Sequence, residues 1–180
     1  MVSGLRIRVV LVWSLLGWEK MVATREYIVE SNAIEDVYDD SAVEDSVEAW
    51  EYLQEQDELG EEDVKEAHRL LLRNRQPDVA GEYRDVHVRI GGDVPPHPSV
   101  VSELMGELVA RVPSTGVEAI QWHVDFEGVH PFVDGNGRVG RLVYLWHCRE
   151  VLGVEPVVWR EADVEGYYAL FQTESFQHRD

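Results

Sequence analysis

The run from His130 to Arg141, His-Pro-Phe-Val-Asp-Gly-Asn-Gly-Arg-Val-Gly-Arg, constrains this chain more than any other feature, because it drives a two-glycine turn straight into the start of a helix. Gly135 and Gly137 open backbone conformations closed to other residues, so successive N–H groups between Asp134 and Gly137 can converge on an anion. From Gly137 onward, Val139, Leu142, Val143 and Trp146 recur on one helical face. The turn therefore sits at a helix N-terminus, whose free N–H groups and positive dipole end favour a phosphate. Arg138 and Arg141 lie three residues apart on one side of that helix, away from most of the apolar stripe. Two cations in a first helical turn oppose the dipole, and an anion between them removes the conflict.

Two further side chains supply chemistry. Asp134 is a hard oxygen ligand suited to a magnesium ion that also holds phosphate oxygens. His130, kept neutral at the mouth of the turn, can take a proton from an attacking hydroxyl. Each group alone has a plainer reading: the turn as a loop, the histidine before Pro131 as a helix end, the arginines as solvated charges. Their combination suits the movement of part of a nucleoside triphosphate.

On these residues the run resembles the signature of the Fic family at every defining position. The resemblance implies an all-α fold, a Fic-type helical bundle with a short β-hairpin flap next to the active-site loop. It implies transfer of AMP from ATP to a hydroxyl side chain of a target protein, with ATP and Mg2+ as cofactors and a Ser, Thr or Tyr as acceptor. In that scheme His130 is the general base and Asp134 holds the metal. Asn136, Gly135 and Gly137 place the phosphates, Arg138 meets the polyphosphate, Arg141 meets the terminal phosphate, and Phe132 anchors the loop in the core. Residue 137 is the family's branch point, since members similar to the Doc toxin carry lysine there and act as kinases. Gly137 leaves room for the α-phosphate and favours adenylylation. The alternatives are removal of AMP or transfer of another phosphate-linked group at the same site, and a non-catalytic ATP-sensing or toxin-like interaction module. An intact His130 and Asp134 oppose the last of these.

Ser31-Asn32-Ala33-Ile34-Glu35 forms a second element, with Ser31 and Glu35 on one helical face. It is similar to the inhibitory helix of self-restrained Fic proteins, whose glutamate pairs with the second arginine of the signature, here Glu35 with Arg141. Asp36 departs from that pattern, which prefers glycine or asparagine.

Between the two elements, Val86, Val88 and Ile90 alternate with His87 and Arg89, which predicts a short strand turning at Gly91-Gly92. Pro95, Pro96 and Pro98 oppose a long return strand. The resemblance places the flap at about residues 84–94, with His87, Val88, Arg89, Ile90, Gly91 and Gly92 taking up the target's main chain.

Helical periodicity predicts helices over 21–35, 42–57, 62–74, 100–110 with Ser99 as its cap, a segment headed by a Thr115–Glu118 capping box and ending near His130, and 162–172. His68 reads as a packed core histidine, and His123 has no ligand partner at metal-binding spacing. Residues 21–180 are read as one domain, with 1–20 an extension of uncertain nature. In the extension, Arg6, Arg8 and the apolar run Val9–Leu16 imitate a signal peptide but are too short to span a bilayer. An added helix or strand, or a true start at Met21, is the preferred reading, and Trp13 and Trp18, if exposed, are candidates for a homodimer contact. The single Cys148 excludes an intrachain disulfide and favours a cytoplasmic location. A net charge of -19 with only Lys20 and Lys65 as lysines resembles adaptation to a salty cytoplasm and argues against a nucleic-acid-binding surface.

Overall fold

The computed structural model describes residues 23–90 and 93–171. A helix over 23–33 (α1) precedes α2 (Asp40–Gln54) and α3 (Glu61–Leu72). A 3-10 turn at Pro98–Val100 runs into α4 (Val101–Val109), followed by α5 (Gly116–Val129) and α6 (Asn136–Trp146). A π-type turn at His147–Val151, a 3-10 turn at Glu161–Asp163 and the short α7 (Val164–Ala169) complete the described chain.

The hub is α6, buried at every residue from Asn136 to Trp146 and packed against α2, α3 and α5. Sequence periodicity gives it one apolar face, yet Val139, Leu142, Val143 and Leu145 together leave no side for solvent. Ile28, Leu53, Leu71, Met105 and Phe126 complete the surrounding core. The loop before α6 and the side chains of its first turn are thereby seated in the middle of the bundle.

Local chemistry sets the helix ends. The Asp39 carboxylate accepts from Ala42 N at 2.9 Å and starts α2 two residues earlier than the apolar spacing predicts. Thr115 Oγ1 accepts from Glu118 N at 3.2 Å, while the Glu118 carboxylate reaches back to Ser114 N at 2.8 Å. Ahead of α4 the cap is His97, whose Nδ1 accepts from Ser99 N at 3.2 Å, and not Ser99 itself. Residues 1–22 and everything after Phe171 lie outside the described residues, as do the expectations placed on them, Met21 as a start among them.

The expected β-hairpin flap is not formed. Among the described residues there is no strand: His87, Val88 and Arg89 have no regular structure, and Ile90 makes one isolated antiparallel bridge with Asp93. Gly91 and Gly92 lie outside the described residues. The alternation of Val86, Val88 and Ile90 lacks a partner edge, because Pro95, Pro96 and Pro98 remove backbone donors from the return segment. The segment is held by the side chain of Arg84, which binds backbone carbonyls at Val86, Pro96 and the end of α5.

Three histidines are buried in this bundle. Burial pushes His68 and His147 down to about 4 and His123 down to about 3. All three fold as neutral rings, whereas the unfolded chain protonates them near pH 6.5. The stability they contribute is present above that pH and is lost as pH falls toward 4, because the unfolded state then binds the extra protons. Denaturant unfolding measured from pH 7 to pH 4 should show stability dropping with uptake approaching three protons, and His147→Asn should lower that slope. A flat profile across this window would contradict the neutral packing.

Candidate active site

The site begins where α5 ends. His130 is the C-cap residue and adopts a left-handed backbone, φ 48° and ψ 62°, a conformation that costs a residue with a Cβ about 1–3 kcal/mol. Two anchors hold it there. His130 N donates to Phe126 O at 2.9 Å, and the buried Arg84 donates through Nε to His130 O at 2.7 Å and through Nη2 to Val129 O at 3.2 Å. Arg84 N also donates to Pro131 O at 2.8 Å. The orphan carbonyls of a helix end are thus satisfied by one side chain. Burial lowers the Arg84 pKa from its ordinary value.

The loop 131–135 is held from inside. Asn136 accepts from Phe132 N and donates to Phe132 O, each at 2.9 Å, which closes the turn on itself. Phe132 is fully buried and stacks on His68, with centroids 3.7 Å apart and rings within 6° of parallel. Gly81 N donates to His68 Nδ1 at 2.9 Å, so the ring proton sits on Nε2 and is donated to Asp134 O at 2.9 Å. Gly135, at φ 74°, then opens α6 as its N-cap. The Asp134 carboxylate accepts from Gln76 Nε2 at 2.5 Å and stands 3.6 Å from Arg138 Nη2.

The second element arrives from α1. Val37 N donates to Asn32 O and Asp36 N to Ala33 O, each at 3.1 Å, the paired bonds of a Schellman ending. Asp36 takes the left-handed position of that ending, with φ 56°. This is the reason a glycine or asparagine suits the position, and Asp36 is accommodated there with its exposed side chain accepting from Tyr38 Oη at 3.1 Å. Glu35 therefore lies just past the helix and not within it, and the turn aims its carboxylate at Arg141.

Arg141 is 1% exposed, and its donors are occupied from two sides. Nη2 donates to Glu35 Oε1 at 2.7 Å and Ser31 O at 2.8 Å, and Nε to Ser31 Oγ at 2.8 Å. From α7, Tyr167 Oη accepts from Nη1 at 2.7 Å. Burial alone pulls the Arg141 pKa down, but the Tyr167 oxygen and then the Glu35 carboxylate outweigh it and leave it above its ordinary value. Arg138 differs. Its side chain is 4% exposed and its Nε stands 3.4 Å from Glu35 Oε2, yet Nε and Nη1 are buried without a hydrogen-bond partner.

A cavity of about 610 Å³ opens beside these groups, lined by Glu35, His130, Asp134, Asn136, Gly137 and Arg141. Ile34, Tyr167, Tyr168 and Phe171 give it an apolar wall. Of the expected flap segment, Ile90 and Asp93 line it among the described residues; His87 instead meets His97 edge-on at 4.8 Å. Sequence reading also passed over Arg84, Gln76 and Tyr167 as site residues, because their contacts here are with residues distant in sequence.

Gly137 is where the two elements interlock. A Cβ at this position would stand 1.9 Å from Glu35 Oε1 and 2.8 Å from Arg141 Nη1. The space assigned from sequence to an α-phosphate is, in this structure, the seat of the Glu35 carboxylate. Gly137→Ala should destabilise the fold and couple to Glu35→Gly by about 1–3 kcal/mol in a double-mutant cycle read by denaturant unfolding. Additive effects of the two substitutions would contradict the interlock.

Comparison with known proteins bears on this geometry. The Fic/DOC family matches residues 58–148. Proteins described as protein adenylyltransferase Fic are similar to it: that of Aedes aegypti is 32% identical over 117 residues, covering 61% of this chain and 23% of the relative. That of Drosophila virilis is 34% identical over 118 residues, covering 62% and 24%. The chain thus spans about a quarter of the length of these relatives. Among solved structures, Fic-1 (aa134 - 508) from C. elegans superposes with a TM-score of 0.67 at 25% identity, over 82% of this chain and 54% of that one. A Fic domain containing signaling protein from Bacteroides thetaiotaomicron reaches a TM-score of 0.74 at 21% identity, over 89% and 74%, a likeness of fold.

Proposed function

Because the chain belongs to the Fic/DOC family, we propose that it is a self-restrained protein adenylyltransferase, moving AMP from ATP to a hydroxyl side chain of a target protein. The observation that carries this reading is the contrast between the two buried arginines: Arg141 is hydrogen-bonded to Glu35, Ser31 and Tyr167, whereas Arg138, with the Glu35 carboxylate 3.4 Å from its Nε, makes no hydrogen bond through Nε or Nη1. A buried guanidinium at the head of a helix, with carboxylates near it but two donors not hydrogen-bonded, suits an anion that can bond them.

In the proposed scheme the triphosphate lies along the first turn of α6, with Arg138 on its oxygens and Arg141 on its far end once Glu35 has left. The base stacks against the Tyr168 and Phe171 side of the cavity. His130 takes the proton of the acceptor hydroxyl, whose oxygen bonds to the α-phosphorus as the bond to pyrophosphate breaks. The full cavity wall at Arg141 supports restraint, since Glu35 occupies the guanidinium that the terminal phosphate needs.

Magnesium fits this site through Asp134. Among the described residues no three His, Cys, Asp or Glu side chains gather as a metal cage. One carboxylate at a cavity mouth, 43% exposed, suits an ion that draws its other ligands from phosphate and water. Such an ion, held by Asp134, would neutralise charge on the phosphates.

Glu35 faces the cavity together with His130, and this favours a second reading, removal of AMP with Glu35 orienting a water. The acidic composition, with a net charge of -19, recommends assay at both low and multimolar salt. With α-labelled ATP, Glu35→Gly should raise incorporation about tenfold or more, and His130→Ala added to it should lower incorporation by about 10²–10⁴. Label that arrives from the γ-phosphate instead, or an inactive Glu35→Gly protein that binds ATP, would overturn adenylylation. Loss of label from AMP-loaded protein only when Glu35 is present would favour the second reading.

A further inference from the structure

We propose that Glu127 is a positioning residue for His130, holding the proton on Nδ1 so that Nε2 is the nitrogen that receives the acceptor's proton; this rests on the reading of His130 as base. Glu127 lies three residues before His130, in the last turn of α5, and both side chains are largely buried at 13% and 18% exposure. Glu127 Oε2 stands 3.6 Å from His130 Nδ1, and both residues line the cavity.

Each partner carries a buried polar atom without a hydrogen bond: Oε1 of Glu127 and Nδ1 of His130. A buried carboxylate oxygen and a buried ring nitrogen left unsatisfied are each costly; Oε2, not the unpartnered Oε1, is the oxygen beside Nδ1, and a turn of the carboxylate can bring either oxygen to it. A side-chain shift of under an ångström makes an Nδ1–H to carboxylate hydrogen bond, in keeping with catalytic contacts that are long in the empty site and tighten with substrate. The backbone cannot make that adjustment, because Arg84 fixes the carbonyls of Val129 and His130. The movement therefore belongs to the Glu127 and His130 side chains.

The arrangement also has a consequence in the transition state. As His130 takes the hydroxyl proton it becomes an imidazolium, and the Glu127 charge beside Nδ1 favours that form. Around His130 the other charged groups on the cavity wall are Glu35, Asp93, Asp134 and Arg141. None of them is paired with Nδ1; Glu127 alone stands within ion-pair distance of that atom among the described residues. Glu127 also raises the Arg141 and Tyr167 pKa values, so a merely structural role as a counter-charge is the competing explanation.

Imidazole ¹⁵N NMR of the 180-residue chain separates the two. The spectrum of the parent should place the His130 proton on Nδ1, identified by loss of that signal in His130→Asn. Glu127→Gln, which retains an acceptor oxygen, should keep this tautomer, and Glu127→Ala should shift it toward Nε2–H. In the Glu35→Gly background, kcat for AMP transfer should fall about tenfold for Gln and about a hundredfold for Ala, with KM for ATP little changed. A tautomer in Glu127→Ala identical to the parent's, or an Nε2–H tautomer in the parent, would overturn the proposal. If Glu35→Gly itself transfers no AMP, the functional reading fails while the tautomer result still decides the positioning role. Should Glu127→Ala not fold, equal kcat in Glu127→Gln and the Glu35→Gly parent would overturn the charge contribution.

Discussion

A guanidinium with 1% exposure at the centre of a helical bundle has to be satisfied, and the way Arg141 is satisfied organises much of this molecule. The guanidinium's partners come from two places, Glu35 and Ser31 at the end of α1 and Tyr167 from α7, and the Arg141 backbone carbonyl accepts from Tyr27 Oη of α1 at 3.0 Å. Burying such a pair offers little net stability, since desolvation offsets most of the attraction, but removing one partner is expensive. That imbalance suits a switch: whatever takes Glu35 away must supply another anion, and a terminal phosphate is one. Restraint and nucleotide recognition would then use a single atom group.

Around that centre, the reactive loop is held in a strained but over-determined shape. His130 stays in the left-handed region because Arg84 ties its carbonyl and those beside it, and Phe132 stays buried because His68 lies flat against it. Asn136 closes the turn with two hydrogen bonds to one residue. Such supports position side chains without touching a substrate, which is the arrangement expected where strain serves a site. The segment expected to form a flap takes part as well, through Arg84 rather than through strand pairing.

The legible parts were those whose physics is local. The His130–Arg141 run declares its turn and helix start within a few residues, and the spacing of Ser31 and Glu35 points both at one partner, Arg141, although Glu35 lies in the turn after α1 and not on its face. Thr115 and Glu118 mark a helix head by spacing alone. What stayed hidden depended on partners far along the chain. The alternation at Val86, Val88 and Ile90 is a real strand signal, but pairing needs an edge that the prolines withhold. Arg84 is one of fourteen arginines until its four carbonyl partners are seen. Asp36 departs from the pattern by residue type, yet it occupies the left-handed position of a regular Schellman ending. Gly137 was assigned its space for a phosphate, and only the packed structure places the Glu35 carboxylate there.

The most direct measurement is calorimetric binding of ATP and of AMP to the parent chain and to Glu35→Gly. AMP lacks the phosphate that would compete for Arg141. The expected result is an ATP Kd about tenfold or more tighter in Glu35→Gly, the range for a charged hydrogen-bonded contact, with AMP affinity unchanged. ATP and AMP affinities that change together, or ATP affinity that does not change, would contradict competition between Glu35 and the terminal phosphate for Arg141.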